Sequence, residues 1–137
     1  MVRPEVIRRR LENLDGYLKI LEGMRRYSLE EFLADPEHYG SAERFLQLAI
    51  ETLLDMGNHV IAEEGLGTVN QSRDIPRIFR ERGLIEPETE ESWIRMISFR
   101  NILVHAYLEL DRRHVHEIIQ NHLDDFRAVQ RAFARFL

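Results

Sequence analysis

The run Ser98-Phe99-Arg100-Asn101-Ile102-Leu103-Val104-His105-Ala106-Tyr107 follows Trp93, Met96 and Ile97, which start an apolar stripe at helical spacing. Continued by threes and fours, the stripe lands on Arg100, then on Leu103 and Val104, then on Tyr107. A permanently charged guanidinium thus falls on a face that otherwise reads as core. Burying an unpaired charge costs several kcal/mol, so Arg100 needs either a buried partner or a cleft open to solvent and ligand. Tyr107, seven residues on, is expected on the same face as Arg100, while His105 stands one turn from Asn101. Arg100 and His105 are roughly 140° apart around an ideal helix and about 7.5 Å apart along it. A joint site then needs a local break in the helix, a second copy across a dimer, or long side chains bending to one groove.

Outward from this stretch, the chain reads as helices joined by short links. A first helix is expected over Pro4 to Met24, with Ile7, Leu11, Leu14, Leu18 and Leu21 as a bundle seam. Ser28-Leu29-Glu30-Glu31 is a capping box opening a short helix that Asp35-Pro36 interrupts. The next helix, Ser41 to Glu64, is apolar over most of its circumference, as a central helix is. Residues 65 to 74 read as a loop, Ile75 to Arg82 as a short helix, Glu88 to Tyr107 as the helix carrying the opening stretch, and Asp111 to Leu137 as a final helix. The fold class is all-α: an antiparallel four-helix bundle with one or two short extra helices, in one domain spanning residues 1–137.

Composition narrows the chemistry. At 44% hydrophobic and 31% charged, the 137 residues suit a globular protein. Without cysteine there are no disulfides, thiolate metal sites or thiol nucleophiles. Met1-Val2-Arg3-Pro4 leads straight into charge and no long apolar run follows, so neither a signal peptide nor a membrane span is expected, and the expected location is cytoplasmic. A net charge of −5 argues against unselective nucleic-acid binding. Residues 92–116 nevertheless hold four arginines against two acids, with three histidines beside them, a balance suited to a local phosphate-handling patch or to an ordinary helix surface.

Other candidate sites are weaker. Asp55, His59 and Glu63 line up at i, i+4 and i+8, which suits either one-sided metal ligation or a polar seam; no Glu-x-x-His motif supports a bundle metal site. Gly65-Leu66-Gly67 lacks the third glycine, the lysine and the preceding strand of a phosphate loop. His122 falls on the seam of the last helix as a core or boundary residue, and His114 and His116 read as surface residues. No metal and no cofactor is expected.

Arg100, four intervening residues, His105, one residue and Tyr107 match the R-x4-H-x-Y signature of the HEPN superfamily. The run Phe-Arg-Asn-Ile-Leu-Val-His-Ala-Tyr closely resembles the HepT-like toxins. The segments Ala49-Ile50 and Asp55 to Ala62, together with Asp111, extend the resemblance over nearly the whole chain. It implies a homodimeric ribonuclease with two motifs facing a shared cleft, in a type VII-like toxin–antitoxin system. The implied partner is an MntA-type nucleotidyltransferase antitoxin that transfers AMP from ATP to the motif tyrosine, here Tyr107. Asn101 is expected to orient His105, with Asp111 and His59 in support.

RNA cleavage suits these side chains without a metal. The substrate supplies its own nucleophile in the 2′-hydroxyl, an imidazole can move the proton, and a guanidinium fork matches phosphate oxygens. The expected products carry 2′,3′-cyclic phosphate and 5′-hydroxyl ends. A second class of function stays open: a non-catalytic helical HEPN adaptor that binds a minimal nucleotidyltransferase, with Arg100 and His105 structural.

Overall fold

In the computed structural model, which describes residues 1–137, the central helix starts at Pro36 rather than at Ser41 and runs to Glu64. Asp35 and Pro36 account for the earlier start. The Asp35 carboxylate accepts the Glu37 N–H at 2.9 Å, and Pro36 occupies the first turn, where a missing N–H is no loss. The dipeptide that ends one helix therefore opens the next. The helix stops at Gly65, whose φ of 63° is the left-handed conformation that a side chain would disfavour.

The helices are α1 (Pro4–Gly23), α2 (Leu29–Ala34), α3 (Pro36–Glu64), α4 (Asp74–Glu81), α5 (Pro87–His105), α6 (Arg112–Asn121) and α7 (Leu123–Phe133), with 3-10 turns at Met24–Arg26, Tyr107–Glu109 and Ala134–Phe136. Ser28 makes the expected capping box with Glu31 at the start of α2. The expected final helix is in fact two. His122 leaves helical geometry at φ −125° and ψ 5°, and its ring is held between Glu117 Oε1 at 2.8 Å and Asp125 Oδ2 at 3.3 Å. It is thus a boundary histidine with partners.

Long-range contacts give the topology. The amino group of Met1 donates to the Glu63 carbonyl, Arg10 to Asp55, and the Tyr17 ring meets Phe45, so α1 runs antiparallel to α3. Gly57 lies against Trp93 and Glu43 against Tyr107, which sets α5 antiparallel to α3. Trp93 packs on Phe133 and Phe99 on His114, bringing α7 and α6 back along α5. α1, α3, α5 and the broken α6–α7 arm form the four-helix bundle, and α2 and α4 are the short extras. The row Asp55, His59 and Glu63 is the polar seam of this assembly. Asp55 pairs with Arg10, His59 Nε2 accepts the Arg3 N–H at 3.4 Å, and Glu63 meets the N-terminal amine. His116 is not the surface residue that was expected: half-buried, it meets the Tyr27 carbonyl at 2.9 Å and packs on Phe32.

The core is one cluster centred on α3, with Trp93 wedged between Phe79 and Phe133. No helix is long and apolar enough to cross a membrane. The closest approach is at Gly57, where an added Cβ would lie 2.5 Å from Ile75 Cγ2 and 3.4 Å from the Trp93 ring. Overpacking of that kind costs about 1–3 kcal/mol, more than the helix propensity gained over glycine. Gly57→Ala is therefore expected to lower the melting temperature. Gly16→Ala, on an exposed stretch of α1 with nothing within 4 Å, should raise stability by about 0.5–1 kcal/mol. Circular-dichroism melts of the two variants should move in opposite directions.

Candidate functional site

Arg100 leaves α5 half-buried and makes no ion pair. Its Nη2 donates to Ser72 Oγ at 3.2 Å, while its Nε is buried with no partner. An unpartnered buried donor on a charged group costs a few kcal/mol, so this side chain is disposed towards an anion rather than satisfied by the fold. It opens into a cleft of about 390 Å³ lined by Gln71, Ser72, Arg73, Ile97, Ser98, Arg100, Asn101 and His105. The lining holds two guanidinium groups and an imidazole and no carboxylate.

One chain thus brings Arg100, Asn101 and His105 to a common cleft, although ideal helical phase separates the first from the last. His105 is the last residue of α5, exposed, with no side-chain hydrogen bond. Asn101 lines the same cleft one turn earlier, but the two side chains do not hydrogen-bond to each other. The opposite wall comes from the loop before α4. Asp74 fixes that loop by accepting the N–H groups of Asn70 at 2.9 Å and Gln71 at 3.0 Å, and these bonds, Gln71's first, hold its carboxyl below the usual range. Ser72 and Arg73 were not legible as site residues, since no local motif marks them and only the packing of α4 on α5 delivers them.

Tyr107 departs from the expected helical face. α5 ends at His105, Ala106 has φ −138° and ψ 42°, and Tyr107 begins a 3-10 turn. Its hydroxyl turns to α3 and α6: it donates to Glu43 Oε1 at 2.7 Å and accepts from Arg112 Nη2 at 2.8 Å. Arg112 Nε donates to the other Glu43 oxygen at 3.0 Å and stacks over the Tyr39 ring, 4.2 Å from its centroid. The hydrogen bond to Glu43, with burial second, holds the Tyr107 phenol above its ordinary pKa despite Arg112. Sequence reading missed Glu43; the one available signal was an acid inside an otherwise apolar helical face.

Neither remaining candidate touches the cleft. Asp111 caps α6 by accepting the Arg113 N–H at 2.9 Å, and His59 contacts the backbone of Arg3. Val104, expected in the apolar stripe, is 43% exposed, as α5 emerges from the core in its last turn. A separate, mostly apolar hollow between α5, α6 and α7, lined by Met96, Phe99, His114 and Phe126 among others, contains none of the motif residues. No group of three histidine or acidic side chains is placed to hold a metal ion.

A family model described as Ribonuclease HepT-like matches residues 12–133. The chain is 35% identical over 81 residues to the mRNA nuclease HepT of Shewanella oneidensis, a stretch covering 59% of this chain and 61% of that protein. It is 27% identical over 139 aligned residues to the tRNA nuclease HepT of Aphanizomenon flos-aquae, covering 99% and 92% of the two. Among solved structures, the tri-AMPylated Shewanella oneidensis HEPN toxin in complex with MNT antitoxin superposes with a TM-score of 0.87 at 25% identity, covering 95% of this chain and 97% of that one. A toxin–antitoxin complex with AMP-PNP gives 0.84 at 26% identity, covering 93% and 97%. With the family model spanning nearly its whole length and its helices superposing on a HEPN toxin, the chain belongs to the HepT-like ribonuclease family of the HEPN superfamily.

Proposed function

We propose that this chain is a metal-independent endoribonuclease toxin, neutralised when an MntA-type nucleotidyltransferase antitoxin transfers AMP to Tyr107. The observation that carries the reading is the uncompensated Arg100 sharing an acid-free cleft with His105. Arg100 binds the scissile phosphate and stabilises the charge that grows on its oxygens, with Arg73 beside it. His105 moves the proton as general acid or base. The RNA 2′-oxygen forms a bond to phosphorus as the bond to the 5′-oxygen breaks, leaving a 2′,3′-cyclic phosphate and a 5′-hydroxyl. A lining without carboxylates, with two guanidinium groups in it, offers no charged oxygen ligand for Mg²⁺, which supports a route that uses none. Asn101 contributes from the cleft wall, while Asp111 caps α6 and His59 holds the backbone at Arg3, both away from the cleft.

The nuclease names of the two relatives support RNA as substrate. The tri-AMPylated toxin solved with an MNT antitoxin supports the modification and its agent. Exposed Ile102, Val104 and Leu108 lie beside the motif, and Leu108 is fully exposed. That apolar surface supports a homodimer. The cytoplasm, where RNA and such an antitoxin are found, is the proposed location.

In excess chelator, protein purified without any partner is expected to cleave RNA to cyclic-phosphate ends. His105→Ala should lose about 10²–10⁴-fold and Arg100→Ala about 10²–10³-fold. Cleavage that does not exceed the His105→Ala background, with dimerisation intact, would establish the adaptor instead. Incubation with the cognate antitoxin and ATP should add adenylyl mass to wild-type protein and none to Tyr107→Phe, and peptide mass spectrometry reads both.

A further inference from the structure

We propose that Glu43 and Arg112 are positioning residues of the ribonuclease: by clasping the Tyr107 hydroxyl they hold the end of α5, and with it His105, at the cleft, and a group transferred to that hydroxyl opens the clasp. This rests on the ribonuclease reading above. The His105 ring makes no hydrogen bond, so the backbone that carries it sets its place. Within one protomer that backbone has few anchors. Between Leu103 and Leu110 no side chain is buried, and Leu108 is wholly exposed. Tyr107 provides the only side-chain hydrogen bonds from this segment to the rest of the molecule.

The clasp suits that duty. Glu43 is 5% exposed and fixed on the central helix, and each of its oxygens has one donor. Arg112 closes the ring of bonds from α6 and is itself held over Tyr39. The Tyr107 oxygen is engaged both as donor and as acceptor, so the turn is tied to α3 and α6 at once. One residue, Ala106, separates it from His105, too short a span for one to shift without the other.

Transfer of AMP removes the donor. The phenolic O–H is exchanged for a bond to the α-phosphorus of ATP, pyrophosphate leaves, and the proton passes to buffer. The phosphodiester is an anion with no proton to offer Glu43, and it would lie against a buried carboxylate with Arg112 as the one shared cation. Tyr107 must then swing out and draw the end of α5 with it.

Tyr107→Phe, Glu43→Gln and the double variant test this by steady-state RNA cleavage and amide hydrogen exchange over residues 104–110. Tyr107 is on an exposed turn, so the phenylalanine variant is expected to fold, and its melting curve checks that. Each single variant should speed exchange in this segment and lower kcat roughly 10- to 100-fold with KM little changed, and the double should be no worse than the weaker single. Tyr107→Phe protein that turns over and exchanges like wild type overturns the proposal, as does a double variant whose losses multiply. Wild-type protein without RNA cleavage sinks the ribonuclease reading and the positioning role with it, and the exchange data then show whether the clasp exists as a fold element alone. Adenylylated protein should exchange at least as fast as Tyr107→Phe; exchange at the wild-type rate overturns the release.

Discussion

The rest of the structure depends on the burial of α3 on nearly every side. A helix in that position has to be apolar almost all round, it has to be thin where its neighbours come closest, and any polar group on it has to be satisfied within the protein. The chain meets each demand at a named place. Gly57 lets Ile75 and Trp93 approach to contact distance. Thr52 turns its hydroxyl back to the Leu48 carbonyl at 2.7 Å. Glu43 has a donor on each oxygen. Removing Arg112 strands a nearly buried carboxylate, and because the arginine is 34% exposed the cost falls below the roughly 3–5 kcal/mol of a fully buried pair. The need to satisfy one carboxylate on the central helix thus draws the turn after α5 and the first turn of α6 into a fixed relation.

Arg100 and Arg112 show how differently two arginines near one helix end can be used. Arg112 is neutralised by Glu43, capped by a phenol and stacked on an aromatic face. Its charge is spent on the fold. Arg100 has a hydroxyl on one nitrogen and nothing on a buried Nε. An acid in the cleft would have satisfied it and screened it from a phosphate. Its absence leaves two guanidinium groups facing no carboxylate in the cleft of a protein whose net charge is −5. Local arrangement outweighs total charge here, because fields from distant surface acids are screened within about a Debye length while groups in the cleft wall are not.

Legibility in the sequence followed the range of the interactions. The α1 seam, the capping box at Ser28, the glycine stop at Gly65 and the bundle class are consequences of residues within a few positions of one another, and all stand in the structure. The Asp35-Pro36 pair was read as a stop when it is also a start, because a proline that breaks one helix is preorganised for the next. The break at His122 depends on a ring bridged by Glu117 and Asp125, which periodicity does not reveal. The motif pointed to Arg100 and His105, which share the cleft, yet Ser72 and Glu43 lay hidden because each reaches its partner across 28 positions or more, and Arg73 comes to the cleft beside Ser72 on the same loop.

The spacing of the motif takes its sense from where α5 ends. Had the helix continued, Tyr107 would share a face with Arg100, and His105 would point elsewhere. Instead His105 is the final helical residue, and it and Val104 are exposed where α5 emerges from the core. Ala106 leaves helical geometry, and that single residue turns the chain so that Tyr107 faces α3 and α6. Two side chains two positions apart therefore serve different walls: His105 faces the cleft with Arg100, and Tyr107 faces the clasp with Glu43 and Arg112. A longer linker would let the two walls move independently, whereas one intervening residue couples them mechanically. That coupling makes a tyrosine outside the cleft a suitable place from which to control what happens inside it.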